Sequence, residues 1–180
     1  SDLAQHRPDW SPRGDMIAYE SYLPPSWQYE WQAILLYNIE TEEVAPLRTS
    51  GQGDDFFPCF SPNGRQVAYA VSVGGVSERP WQLRRIDVSG ENDTVLVQSG
   101  LARPPTSLRW SSDGHWVYFV AGDSLYAAST DSLGFVVSRG ELVSRVTSFD
   151  MRLSDGCLVL EEPGAVTYQV EVEDEGGSYL

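Results

Sequence analysis

Pro58-Cys59-Phe60-Ser61-Pro62-Asn63-Gly64-Arg65-Gln66-Val67-Ala68-Tyr69 is the stretch from which the rest of the chain can be read. An aromatic closes a short apolar run, Ser-Pro-Asn-Gly follows, and an alternating run begins. Proline suits the second position of a tight turn and glycine supplies the positive φ that turn needs. Fifty residues earlier stands Pro8-Asp9-Trp10-Ser11-Pro12-Arg13-Gly14-Asp15-Met16-Ile17-Ala18-Tyr19. Fifty residues later stands Leu108-Arg109-Trp110-Ser111-Ser112-Asp113-Gly114-His115-Trp116-Val117-Tyr118-Phe119. A weaker fourth copy, Asp150-Met151-Arg152-Leu153-Ser154-Asp155-Gly156-Cys157-Leu158-Val159-Leu160, follows after a step of 42. A fixed period of this size marks a repeat architecture.

Each unit continues in the same way. After the second strand comes a third, over 33–39, 81–86, 124–128 and 165–170. A polar turn such as Asp87-Val88-Ser89-Gly90-Glu91-Asn92 leads to a fourth, such as Thr94-Val95-Leu96-Val97. The strands are rich in β-branched and aromatic residues, and no stretch sustains a helical period. Four strands per unit predict an all-β β-propeller, built from about four four-stranded antiparallel blades. The 180 residues form a single propeller domain with blades near 1–50, 51–100, 101–146 and 147–180. The last unit has three clear strands before the acidic tail Glu171-Val172-Glu173-Asp174-Glu175, and residues 1–7 are available to complete it. The readings are a closed ring of four, pairing of two copies into a dimeric ring, or membership of a larger propeller.

Trp-Ser-Pro-x-Gly-x-x-Ile-Ala-Tyr, followed by a Leu-Tyr-x-Ile-like strand, resembles the TolB-like (WD-repeat-like) β-propeller repeat. That repeat also occurs in the propellers of prolyl oligopeptidase and tricorn-type proteases. The resemblance covers nearly the whole chain. It implies that loops after each second strand and before each first strand share one face, with the Ser-Pro-x-Gly turns on the other. It also implies an extracytoplasmic bacterial setting, in the periplasm or at the cell surface. Fold alone does not set function.

Charge narrows the partners. Twenty-six Asp and Glu stand against twelve basic residues, a net charge of −14. All the basic residues are Arg, and Lys is absent. Such a surface repels nucleic acid and anionic lipid. Without Lys there is no P-loop, Schiff base or Ser–Lys dyad in these residues. No run approaches the roughly 18 apolar residues of a membrane span. The opening Ser1-Asp2-Leu3-Ala4-Gln5 lacks the basic start and apolar run of a signal peptide, and the missing initiator Met points to a mature, trimmed or excised chain. Cys59 and Cys157 sit in apolar runs and read as two buried free thiols, a bridge between them being the alternative.

Two long segments interrupt the second-to-third strand connections: Tyr22 to Trp31 in the first unit and Ser72 to Trp81 in the second. They bring Tyr22, Trp27, Tyr29, Trp31, Arg79 and Trp81 to one face, residue types that dominate binding hot spots. Trp31 and Trp81 start strands and are expected to bury themselves. The polar stretches ahead of the first strands add Asp54, Asp55 and Arg103 to this candidate partner-binding set. Asp54 and Asp55 read as turn and solubility residues, with no calcium-loop spacing around them. His6 reads as a solvated arm residue and His115 as a surface residue beside a turn. No Gly-x-Ser-x-Gly elbow and no zinc-spaced cysteines are present. The expectation is a non-catalytic scaffold without metal or cofactor, binding a protein partner with a basic or membrane-associated surface. The alternatives are the gating propeller of a prolyl oligopeptidase-like serine peptidase, or a peptide- or sugar-binding propeller.

Overall fold

The computed structural model describes residues 6–22, 32–48, 53–73, 80–101, 103–122, 124–131, 138–144, 148–152, 157–161 and 167–171, and from 138 onward only their backbone. These residues form strands, turns and bends, with no helix among them. The first sheet holds β1 (His6–Trp10), β2 (Met16–Tyr22), β3 (Gln32–Asn38) and β4 (Val44–Pro46). The second holds β5 (Asp54–Phe60), β6 (Gln66–Ser72), β7 (Trp81–Asp87) and β8 (Thr94–Leu101). The third holds β9 (Pro105–Trp110), β10 (Trp116–Ala121), β11 (Ser124–Ser129) and β12 (Ser138–Ser144). In the fourth, β13 (Ser148–Arg152), β14 (Cys157–Glu161) and β15 (Thr167–Glu171) are described. All pairings are antiparallel and the strands lie in chain order.

The repeated turn works as its residues require. The N–H groups of Gly14, Gly64 and Gly114 donate to the carbonyls of Ser11, Ser61 and Ser111 at 2.8, 2.8 and 3.0 Å. The serine then closes the hairpin base: Ser61 Oγ accepts from Gln66 N, and Ser111 Oγ from Trp116 N, both at 2.9 Å. A second repeated device is not visible in the residue types. Arg7, Phe57 and Ser107, fifty residues apart, all have positive φ (53°, 56° and 51°). Each lies in the first strand of its sheet where the register with the second strand shifts. A bulge of this kind bends the strand and increases its twist.

The sheets stack through alternating faces. Ala18, Ile34, Leu36 and Leu47 of the first sheet region meet Phe60, Val67, Tyr69, Val71 and Ile86 of the second. The other face of the second sheet, with Cys59, Ala68, Leu83, Leu96 and Val97, meets Leu108, Trp110, Val117, Phe119 and Ala128 of the third. Period-two alternation thus gives β5, β6 and β7 of the second sheet a buried side toward each neighbour. Cys59 is a buried free thiol, which removes the bridge to Cys157. Burial foremost, with the Asp9 carboxylate nearby, pushes that thiol up to about 12 and leaves it unreactive.

Two expectations at the chain start are corrected. His6 is not a free arm residue, since its backbone begins β1 and pairs with Glu20. Arg7 belongs to the same strand, so neither residue is available to complete the last sheet; 1–5 lie outside the described residues.

Gly53 shows how tightly the second sheet is entered. It has φ +104°, and a Cβ there would lie 2.2 Å from the Ser72 carbonyl oxygen. Gly53→Ala is expected to cost about 2–3 kcal/mol in urea unfolding. Gly14→Ala, with φ +73° but open space around it, is the control and should cost only about 1 kcal/mol.

Candidate protein-binding edge

Antiparallel pairing decides which loops share an edge. Asp54 pairs with Ser72, and Pro105 with Ala121, so the start of each first strand lies beside the end of each second strand. Tyr22 pairs with Gln32, Ser72 with Trp81 and Ala121 with Ser124, so the third strands start there too. The Ser-Pro-x-Gly turns occupy the opposite edge. His115 lies there, exposed, with Nδ1 2.8 Å from Asp131 Oδ2.

On the loop edge Tyr22 is 53% exposed and Val73 is 38% exposed. Both stand where the long aromatic segments leave their second strands. At the loop end of the third sheet a depression of about 510 Å³ is lined by Arg103, Pro104, Thr106 and Gly122. Arg103 is exposed there. Trp27, Tyr29, Trp31 and Arg79 of the expected set lie outside the described residues.

Three members of the set are placed differently from a binding role. Trp81 is buried, its ring 5.5 Å from that of Phe56, in a cluster with Ala70. That is the strand-start burial expected of it. Asp54 and Asp55 are neither turn residues nor solvated. Both are buried in β5, because the strand starts earlier than the polar sequence implied. Asp54 Oδ1 accepts the Gln32 N–H at 2.8 Å, tying the second sheet to the first. Asp55 is ion-paired with Arg48 through Nη2, and Arg48 Nε donates to its other oxygen at 3.3 Å.

Further polar ties escaped the sequence reading. Glu20 is buried; its Oε1 accepts the Phe57 N–H at 2.8 Å and its Oε2 accepts from Gln32 Nε2 at 2.9 Å. The left-handed bulge residue Phe57 is therefore held by a carboxylate from the neighbouring sheet. The Arg7 guanidinium lies 4.0 Å from the Phe57 ring centroid and 3.7 Å from Glu20. Asp9 Oδ2 accepts the Phe60 N–H at 2.6 Å. Burial raises the Asp9 carboxyl, with that hydrogen bond and Arg109 opposing. A signal for Glu20 exists in the repeat itself: the matching positions are Ala70 and Val120, so a carboxylate there breaks an apolar pattern. Among the described residues no three His, Cys, Asp or Glu side chains gather as a metal-holding group. No helix among them is long and apolar enough to cross a membrane.

No protein-family model matches the chain. Among curated proteins it is similar to "Probable dipeptidyl-peptidase 5" of Arthroderma benhamiae and to "Dipeptidyl-peptidase 5" of Trichophyton schoenleinii. Each is 29% identical over 127 residues, covering 64% of this chain. The aligned stretch spans 18% of the length of those relatives. Among solved structures it is similar to TolB from Acinetobacter baumannii, with a TM-score of 0.62 and 19% identity, over 94% of this chain and 41% of that one. At that identity the likeness establishes the fold, a TolB-like β-propeller arrangement of antiparallel sheets.

Proposed function

We propose that this chain is a non-catalytic propeller segment that binds another protein through its loop edge, in an extracytoplasmic setting. The observation that carries this reading is the pair of exposed apolar side chains Tyr22, at the end of β2, and Val73, one residue past the end of β6. Isolated exposed apolar residues are ordinary. Two that stand at the exits of neighbouring second strands, each opening onto an interrupting segment, are the makings of a contact surface. The net charge of −14 favours a partner with a basic patch, drawn in by electrostatic steering. Affinity capture from a periplasmic and membrane extract tests it, with wild type beside Tyr22→Ala and Trp27→Ala. A partner retained by wild type should bind Tyr22→Ala more weakly by on the order of 2 kcal/mol, about thirtyfold. Equal retention by all three proteins places the interface elsewhere.

The similarity to the dipeptidyl-peptidases supports a second reading. Here the sheets form the docking wall of a peptidase whose catalytic domain lies elsewhere in a longer polypeptide. Dipeptide release by the natural full-length protein, assayed on chromogenic peptides, separates the two readings.

A further inference from the structure

Trp10, Phe60 and Trp110 are the same residue of three successive copies, fifty positions apart. Phe60 is 6% exposed and Trp110 is 4% exposed, whereas Trp10 is 61% exposed. The difference has one geometric source. Phe60 inserts against Ala18, Ile34 and Leu36 of the sheet before it. Trp110 inserts against Cys59, Ala68 and Leu83 of the sheet before it, and its Nε1 donates to the Cys59 carbonyl at 3.0 Å. Trp10 meets no such sheet among the described residues.

The rest of that face repeats the pattern. Ile17 and Tyr19 are only half-buried, while their counterparts Val67, Tyr69, Val117 and Phe119 are buried. Tyr37, which pairs with Ile17, is half-buried, while Ile86 and Ala128, which pair with Val67 and Val117, are buried. Together with Pro8 and Val44 these residues line a groove of about 600 Å³ along the first sheet. An aromatic groove of this kind, left bare, is an interface without its partner.

The geometry points to a further blade of this same repeat, carried by the polypeptide ahead of Ser1, as the occupant of this face. Two observations select it. In both described interfaces the aromatic enters the sheet immediately N-terminal to its own, so the expected neighbour of the first sheet precedes it in the chain. The fold neighbour and the curated relatives are also much longer than the aligned stretch, which covers 41% and 18% of them. The incoming sheet presents small and aliphatic side chains, as Ala18–Ile34–Leu36 and Ala68–Leu83 do. It also offers a first-strand carbonyl to Trp10 Nε1, as Cys59 does to Trp110.

Hydroxyl-radical footprinting tests this on the natural chain, including the residues encoded ahead of Ser1, beside residues 1–180 alone. Buried Trp110 is the internal reference. Trp10 should oxidise readily in 1–180 and fall to the rate of Trp110 in the longer chain. Trp10→Arg should then destabilise the longer chain and leave 1–180 unaffected. Equal reactivity of Trp10 in both proteins overturns the proposal, as does a natural chain with no such repeat ahead of Ser1. Protection in 1–180 that grows with concentration, together with a doubled sedimentation mass, also overturns it and makes a second copy the occupant.

Discussion

Trp110→Ala is expected to destabilise the array by about 3–5 kcal/mol, the range for removing a buried Trp or Phe from a core. The ring bridges the second and third sheets, packed with Cys59, Ala68, Leu83, Leu96 and Val97 on one side and Leu108, Val117 and Phe119 on the other. Its loss leaves a void that several strands must close together, and it removes the hydrogen bond to the Cys59 carbonyl. Trp110→Phe retains most of the ring and should cost less, with about 1 kcal/mol of the loss from the hydrogen bond. Stacked repeats owe much of their stability to nearest-neighbour interfaces. Urea unfolding of Trp110→Ala should therefore show a shallower transition as well as a lower midpoint, because the third sheet no longer melts with the second. Trp10→Ala in 1–180 is the control. It occupies the same repeat position but is exposed, so it should stay within about 0.5 kcal/mol of wild type. Losses of equal size from the two tryptophans would contradict the stacking described.

Sequence alone makes Trp10 and Trp110 look equivalent, and that marks the boundary of what it carries. Turns were legible because Ser, Pro and Gly act locally: Gly14, Gly64 and Gly114 take the positive φ that their positions demand. Strands were legible because alternation is local too. The bulges at Arg7, Phe57 and Ser107 were not, since three chemically unrelated residues share one backbone conformation imposed by the twist of the first strand. Asp54 and Asp55 misled for a related reason. Acidic pairs after glycines usually lie in loops, and only the partners Gln32 and Arg48, from the preceding sheet and the residues after it, turn these two into buried anchors. The candidate binding edge was legible as a place, through the interrupting segments. Its membership was legible only in part: the burial of Trp81 against Phe56 follows from its place at a strand start, whereas that of Asp54 and Asp55 depends on partners distant in the chain.

Arg48→Met is the second substitution expected to act strongly, and its effect should depend on pH. Arg48 and Asp55 are both nearly enclosed between the first two sheets. Around them stand Tyr69, whose hydroxyl donates to Asp93 Oδ1 at 2.7 Å, and Arg84, which donates to both Asp93 oxygens at 2.9 Å. Burial pushes the Asp55 carboxyl up to about 6, outweighing the pull of Arg48 toward the charged form, while Asp93 adds a smaller upward push. An acid with a raised folded-state pKa holds more protons in the folded than in the unfolded chain, whose Asp titrates near about 3.9. Stability from this group therefore falls as pH rises from about 4 to about 6 and stays low above that. Removing Arg48 leaves the ionised carboxylate buried without its partner, a change worth about 3–5 kcal/mol in comparable cases. At pH 8 Arg48→Met should show that full loss in urea unfolding. At pH 5 Asp55 is largely protonated and the loss should shrink. Arg48→Met combined with Asp55→Leu removes both charges and fills the space with apolar atoms. Replacing a buried pair in this way is often neutral or stabilising, so the double variant should recover most of the stability at pH 8 and lose the pH dependence. A loss that is the same at pH 5 and pH 8, or a double variant no better than the single one, would place the cost in packing around the Arg48 stem and not in the stranded charge.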